Sequence, residues 1–460
     1  MEEPFKVIIV GGSVAGLTLA HCLDRANIEY NEGASIGLWP TGGRVLDQLG
    51  IWDDVARNAE VMRCHNVLFP DGFTFRHFML KKVYERFGYG LVFVERQRLL
   101  ESLYQHLLDK SKIHLNQAVV RIQQTKNGVS VSTQDGTAYK GSLVVGADGV
   151  HSRVRAEMWR LAEAQSPGSI TEREKKTLKA EYACVFGISS AITGLPVGEH
   201  ANVYGDDHAV LTFHGRESVY WFMISRMDRV YAYPDVPRYT MEDAEELCGG
   251  RYVDVRIAER VCVRDLWQSR RVASMTAMEE GLFETWSFGR VVLLADAVRK
   301  MTVTMGQGAN ATIEDSAVLA TLLDRLVHEG TTKTHATDEA IKSILAEFQA
   351  LRYPRSKTIY NQTYHGVRMH TRNGIARRLT GRYIMRSQIE SMTDAQSVLL
   401  AVGPVVGFIP LPERHTDGWE KYGNHSPSRK SGTHWVTWGI VPISIVLGVS
   451  LMARYRAVGR

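Results

Sequence analysis

The chain has 460 residues, of which 44% are hydrophobic and 23% charged, the usage of an ordinary globular protein with material for at least one large core. That excludes a disordered chain, a collagen-like chain and a polytopic membrane protein. The net charge of +5 sits in the tail: five of the 55 Lys and Arg (Arg429, Lys430, Arg454, Arg456, Arg460) fall in residues 424–460, where there is no acid, so the body balances 50 basic against 50 acidic side chains and shows no nucleic-acid footprint. Five scattered Cys without a CxxC pair argue against a disulfide framework or a zinc site, and the start lacks the apolar run of a signal peptide.

In chain order, residues 5–10 (FKVIIV) are a short apolar strand leading into Gly11, Gly12 and Gly16, after which Leu17, Leu19, Ala20 and Leu23 mark a helix. Residues 96–108 carry apolar positions at helical spacing. Residues 119–131 alternate about Lys126-Asn127-Gly128 and predict a hairpin. Leu143 to Asp148 and Val291 to Asp296 are two apolar strands, each ending in an acid, and residues 181–238 between them are β-rich. Met305 to Asn310 (MGQGAN) opens a long helix. Residues 424–434 read as a polar linker, and 435–453 (WVTWGIVPISIVLGVSLMA) hold no charge over a length that spans roughly 28 Å as a helix, about one bilayer core.

The expected fold is α/β: a Rossmann-like domain with a parallel sheet, interrupted by a β-rich substrate domain, plus a C-terminal transmembrane helix. Its divisions are 1–180 (first parts of the nucleotide half), 181–284 (β-rich), 285–423 (completion and a helical C-terminal part), 424–434 (linker) and 435–453 (membrane helix).

The chemistry follows from the turns. A pyrophosphate needs close backbone approach and a helix N-terminus, which Gly11, Gly12 and Gly16 provide. Asp296, at a strand's carboxyl end, is placed to bond a sugar or ribitol hydroxyl, or else caps its own turn. Gly306 and Gly308 put bare N–H groups and a helix dipole where an anionic ring docks.

These elements resemble the aromatic-hydroxylase-like FAD-dependent monooxygenases, whose three signatures appear in order as GGSVAG (11–16), GADGVHSRVR (146–155) and ADAVRKMTVTMGQGAN (295–310). The run NEGASIGLWPTGGRVLDQLG, EYACVFGIS and the KMT before GQGAN are most similar to the fungal, paxilline-type enzymes of meroterpenoid and indole-diterpene biosynthesis. The resemblance implies an FAD- and NADPH-dependent epoxidase. Reduced flavin and O2 would deliver oxygen to a prenyl alkene of a lipophilic intermediate, which is then handed to a terpene cyclase. It further implies a body facing the cytosol on a single-pass anchor in the endoplasmic reticulum membrane.

By the same resemblance, Gly37, Arg96, Asp148, Asp296 and Ala309 are flavin-site residues, and Arg153 and Arg155 belong to an NADPH-linked motif. Tyr220 is the candidate substrate-side catalytic residue, with Tyr204 and Tyr182 as rivals. No metal is expected.

Five departures qualify the resemblance, the first being Ser13 where the middle glycine of the first turn usually stands. After Tyr30 a strand and its terminal acid are missing, with Glu29 and Glu32 as substitutes, and Ala295, Arg299 and Val303 stand where Gly, His and Pro are usual. Arg299 is expected to place a cation beside the flavin. The sequons at Asn310 and Asn361 are read as chance matches, the first because it lies inside the flavin motif. The alternatives are a hydroxylase of phenolic or salicylate-like substrates, and a flavin-deficient, inactive homologue.

Overall fold

Val7–Val10 (VIIV) is β-branched throughout and its first three residues are buried, as a strand covered on both faces requires. The structure is a computed structural model that describes residues 5–12, 14–25, 37–57, 59–125, 128–328, 336–414 and 416–424. Val7–Val10 pairs in parallel with Leu143–Gly146, from Val7 opposite Leu143 to Val10 opposite Gly146, and that strand pairs in parallel with Val291–Leu293. Ser287–Phe288 adds an antiparallel edge. The helices Val14–Arg25 and Gly308–His328 pack together, pinned where Ser316 Oγ donates to Ala15 O at 3.0 Å. The segment around Tyr30, residues 26–36 with Glu29 and Glu32, lies outside the described residues.

The second layer is an eight-stranded sheet. Its order is Arg299–Lys300, Arg270–Leu282, Lys179–Ser190, Ser218–Ala232, His208–His214, Glu199–Tyr204, Cys64–Leu68 and Thr74–His77. Neighbours are antiparallel except Glu199–Tyr204, which runs parallel to Cys64–Leu68. The β-rich layer therefore takes in residues 64–77 and 299–300 as well as the expected 181–284. Strand alternation divides its side chains cleanly. Val185, Val210, Trp221 and Met223 pack on Val263, Leu266 and Trp267 in one cluster, whereas Cys184, Leu211, Phe213, Tyr220 and Ile224 turn the other way, into the core shared with the parallel sheet. A third sheet is the predicted hairpin, Val119–Thr125 with Gly128–Thr133, joined by Ala138–Gly141.

The expected membrane anchor is corrected here. Among the described residues no helix is long and apolar enough to cross a membrane. The two longest, Gly308–His328 and Asp338–His370, carry Glu314, Asp315 and Asp324, and Glu347, Arg352 and Arg355, and are packed against each other. A spanning helix needs about 20 predominantly apolar residues. The segment 435–453, on which the transmembrane helix and the membrane localisation both rested, lies outside the described residues.

Candidate active site

The first glycine turn is pressed onto the second strand's end. Gly11 has φ +112°, and a Cβ there would lie 2.5 Å from the backbone C and O of Ala147, so only a residue without a side chain brings these turns together. Gly12 is exposed at the same turn and Gly16 is buried inside the first helix. Gly149, at φ +85°, has open space where a Cβ would stand. The crevice between the turns is thus lined by bare backbone.

Asp148 is spoken for locally. Its carboxylate accepts from Ser152 Oγ and from Val154 N at 3.0 Å, capping the helix Arg153–Gln165. Burial raises its pKa against the pull of those bonds. Arg155, placed by the resemblance in an NADPH-linked motif, is buried: Nη1 donates to Ala297 O at 2.9 Å, Nη2 donates to Val150 O at 2.7 Å, and Phe283 lies beneath the guanidinium at 4.3 Å. It ties the second signature to the third. Arg153 is bonded to Val120 O and Glu157.

Asp296 follows Val291–Leu293 in a one-turn 3-10 helix, Ala295–Ala297, with about a third of its side chain exposed and Lys300 as its ion-pair partner. Ala295 adopts φ +56°, a left-handed conformation natural to the glycine expected there, and its N–H reaches Asp315 Oδ2 at 3.3 Å. Arg299 does not face the crevice. It is 1% exposed, with Nη1 2.6 Å from Asp315 Oδ2 off the axis of a hydrogen bond and Trp286 5.9 Å away, so its charge is neutralised inside the core.

The helix Gly308–His328 starts after Gly306 (φ +58°), has no acid in its first turn and leaves open space at Gly308, with Ala309 half-buried beside it. Its N–H groups and dipole are free to face an anion. Asn310 fixes this end. Its Nδ2 donates to Gly37 O at 2.9 Å and Gly306 O at 2.8 Å, and its Oδ1 accepts from Trp39 N at 2.7 Å, while Trp39 Nε1 donates to Met305 O at 3.0 Å. Asn310 is fully buried, so its sequon is not an acceptor. Sequence reading missed the bracing role of Asn310 and Trp39; the only signal was that Asn310 ends the third signature.

Gly37 pairs with Phe93, whose ring would be 3.4 Å from a Cβ at that glycine. Arg96 stands exposed at the first position of the helix Arg96–Gln105. Phe93 stacks on Phe213 at 3.7 Å and lies 6.1 Å from Tyr220 and 6.3 Å from Phe222, which joins the flavin-loop region to the inner face of the large sheet. Tyr220 is 9% exposed, and burial, then the charge of Glu95, raises its pKa. Its rivals are engaged elsewhere: Tyr182 meets Thr371 and Asn373, and Tyr204 donates to Met385 Sδ.

The residues present suit FAD: a bare-backbone crevice, a carboxylate at a strand end for a hydroxyl, and a helix start without an acid. Residues 4–346 match the family described as FAD binding domain. The chain is 47% identical to the FAD-dependent monooxygenase penE of Penicillium thymicola, over 97% of this chain and 96% of that one. It is 46% identical to the FAD-dependent monooxygenase nvfK of Aspergillus novofumigatus, over 92% of each. In fold it is similar to Klebsiella pneumoniae HpxO complexed with FAD and uric acid (TM-score 0.69, 20% identity, 87% of this chain and 97% of that one). A salicylate hydroxylase in a substrate complex is similar in fold too (TM-score 0.65, 17% identity, 88% and 99%). The chain belongs to the family of FAD-dependent monooxygenases and is an enzyme of that class.

Proposed function

We propose that this monooxygenase uses NADPH and O2 to epoxidise a prenyl alkene of a lipophilic meroterpenoid or diterpenoid intermediate in secondary metabolism, its product passing to a terpene cyclase. The observation that carries the reading is the junction of the Gly306–Asn310 helix start, through Gly37 and Phe93, with the aromatic inner face of Phe213, Tyr220 and Phe222. An electron-rich alkene needs positioning and a dry surface, and no base to ionise it, whereas a phenol must be activated by proton removal.

When bound, FAD supplies the redox chemistry that splits O2 between product and water. Gly11, Gly12 and Gly149 admit the diphosphate to the backbone. Asp296, oriented by its ion pair with Lys300, would accept a hydrogen bond from a hydroxyl of the ribityl chain. The Gly308 helix end stabilises negative charge on the ring, with Asn310 and Trp39 holding it in place. Phe93, Phe213 and Phe222 exclude water, and Tyr220 offers the hydroxyl of that face.

The test is the visible spectrum of the purified chain after reconstitution with FAD, followed by incubation with NADPH, O2 and a farnesylated phenol. Retained flavin bands and a product gaining one oxygen on the side chain are expected. Oxygen added to the ring would turn the reading to a phenol hydroxylase, and a colourless protein would overturn both.

A further inference from the structure

The inner face of the large sheet carries a polar feature that the flavin site does not use. A ladder of rings in contact crosses the strands: His77 to His65 at 4.5 Å and His65 to His200 at 4.3 Å, both tilted, then His200 to Phe213 at 4.2 Å and Phe213 to Phe93 at 3.7 Å, both stacked. It runs from the half-buried rim at His77 to the aromatic layer beside Gly37. Alongside it, Asn202 is 2% exposed and His370, from the end of the helix Asp338–His370, is 7% exposed. The two are bonded, with Asn202 Nδ2 3.3 Å from His370 Nε2.

This patch is under-satisfied. His65 Nε2, His77 Nδ1, Asn202 Oδ1 and His370 Nδ1 are buried atoms without a hydrogen-bond partner among the described residues. Buried polar atoms in folded proteins are nearly always bonded, and an orphan is destabilising. Four on one contiguous face are therefore read as contacts kept for a ligand.

The bonded pair fixes the chemistry of that ligand. With Asn202 Nδ2 donating, His370 Nε2 is the acceptor, its proton is on Nδ1, and the orphans are one donor (His370 Nδ1–H) and one acceptor (Asn202 Oδ1). Turning the amide round exchanges the roles and again leaves one donor and one acceptor. Burial holds His370 and His77 neutral, with pKa values brought down to about 4, and burial together with the neighbouring His200 and His77 brings His65 well below its usual value. Arg76 and Arg382, at the edge of this region, are each paired with a carboxylate, Glu199 and Asp71. A carboxylate or phenolate would meet an acceptor lone pair with no free cation among these groups, whereas a hydroxyl or a hydroxy-ketone satisfies both orphans. Phe69, Phe75, Tyr204, Met369 and Met385 surround the patch with apolar and polarisable surface.

We propose that His65, His77, Asn202 and His370 form a head-group subsite that takes an uncharged, hydroxyl- or carbonyl-bearing ring, while the substrate's alkene lies toward Phe93 and the flavin loop. The inference deepens, and rests on, the reading that this enzyme oxidises the side chain of a prenylated substrate. It separates that substrate from the anionic aromatic acids that a salicylate-type site would hold.

The test titrates the FAD-loaded full chain with three probes, read by the perturbation of flavin absorbance: farnesylhydroquinone, a farnesylbenzoate and the hydrocarbon farnesene. The hydroquinone is expected to bind at least tenfold tighter than the other two. Asn202→Leu and His77→Phe should each raise its Kd about tenfold, the equivalent of 1.4 kcal/mol, and leave that of farnesene unchanged. Flavin content reports folding, and the half-buried rim variant H77F stands in if N202L loses it. Preference for the benzoate, an unchanged hydroquinone Kd in the variants, or no perturbation by any probe would overturn the subsite. Patch-dependent binding without side-chain oxidation would instead remove the proposed reaction and leave the subsite standing.

Discussion

Asp296 is the residue on which flavin retention should turn. Its carboxylate is about a third exposed at the end of Val291–Leu293 and is oriented by Lys300. A hydrogen bond from a hydroxyl to a charged acceptor contributes about 1.5–3 kcal/mol, so Asp296→Ala should weaken FAD binding by roughly ten- to a hundredfold, measured by recovery of flavin fluorescence on dilution. Unchanged affinity would remove Asp296 from the site and leave it a turn residue. Gly11 makes a contrasting case, because its cost falls on the fold as well as on the ligand. An alanine methyl 2.5 Å from Ala147 forces the two turns apart, and the positive φ adds about 1–2 kcal/mol of strain. G11A should therefore lower both Tm and flavin content. Tyr220→Phe should keep flavin content and lower turnover on the prenylated substrate; unchanged kcat/KM would make the hydroxyl a bystander.

The helix Gly308–His328 owes its position to a buried ion network. Arg352 Nε is 2.8 Å from Asp315 and its Nη2 is 3.0 Å from Glu314, while Arg355 grips both oxygens of Glu314 at 2.6 and 2.7 Å. Burial alone would raise the Glu314 pKa, but Arg355 and Arg352 outweigh it and hold it at about 2. Arg352→Leu leaves two carboxylates under-compensated in the core and should cost about 3–5 kcal/mol in urea unfolding, with loss of flavin following from displacement of the helix start. A loss under 1 kcal/mol would mean that Arg355 and Arg299 suffice.

Legibility in the sequence divides at the same scale. VIIV, LVVG and VVL are continuous apolar runs because both faces of those strands are covered, and a run of that kind is visible without knowing its partners. GQGAN opened its helix where expected. Residues 64–77 were not read as strands: CHNVL and TFRH mix His, Asn, Arg and aromatics, and Cys64–Leu68 pairs with a strand some 135 positions further on, which no local pattern encodes. The burial of Arg155 and Arg299 was not legible for a related reason. A cation's sequence neighbours do not reveal the aromatic ring or carboxylate that a distant element brings to it, here Phe283 and Asp315.

At the scale of the molecule, the chain buries an unusual set of imidazoles. Burial is the first cause in each: His21, His214 and His370 are brought down to about 4 and His200 to about 3, all under 9% exposed. Above about pH 6.5 these rings are neutral folded or unfolded and add no pH dependence. As pH falls from 6.5 toward 4, the unfolded chain takes up protons that the fold refuses, so stability is lost with acid, by about 1 kcal/mol per ring at pH 5.5. Glu314 acts in a lower window, since its stabilisation is present above about pH 4.5 and is lost only as pH falls toward 2. Four rings together claim a large share of a total stability of about 5–15 kcal/mol. Tm should therefore be flat from pH 8 to 7 and drop by several degrees by pH 5.5, well before the carboxylates titrate. His200→Phe keeps the stack on Phe213 and removes one proton-accepting ring, so its profile should fall less steeply than that of the unaltered chain. A Tm that holds to pH 5 in both would show that these rings are protonated within the fold. His370, which belongs both to this set and to the polar patch, would then carry charge at that pH, and the patch's preference for an uncharged head group would fail with it.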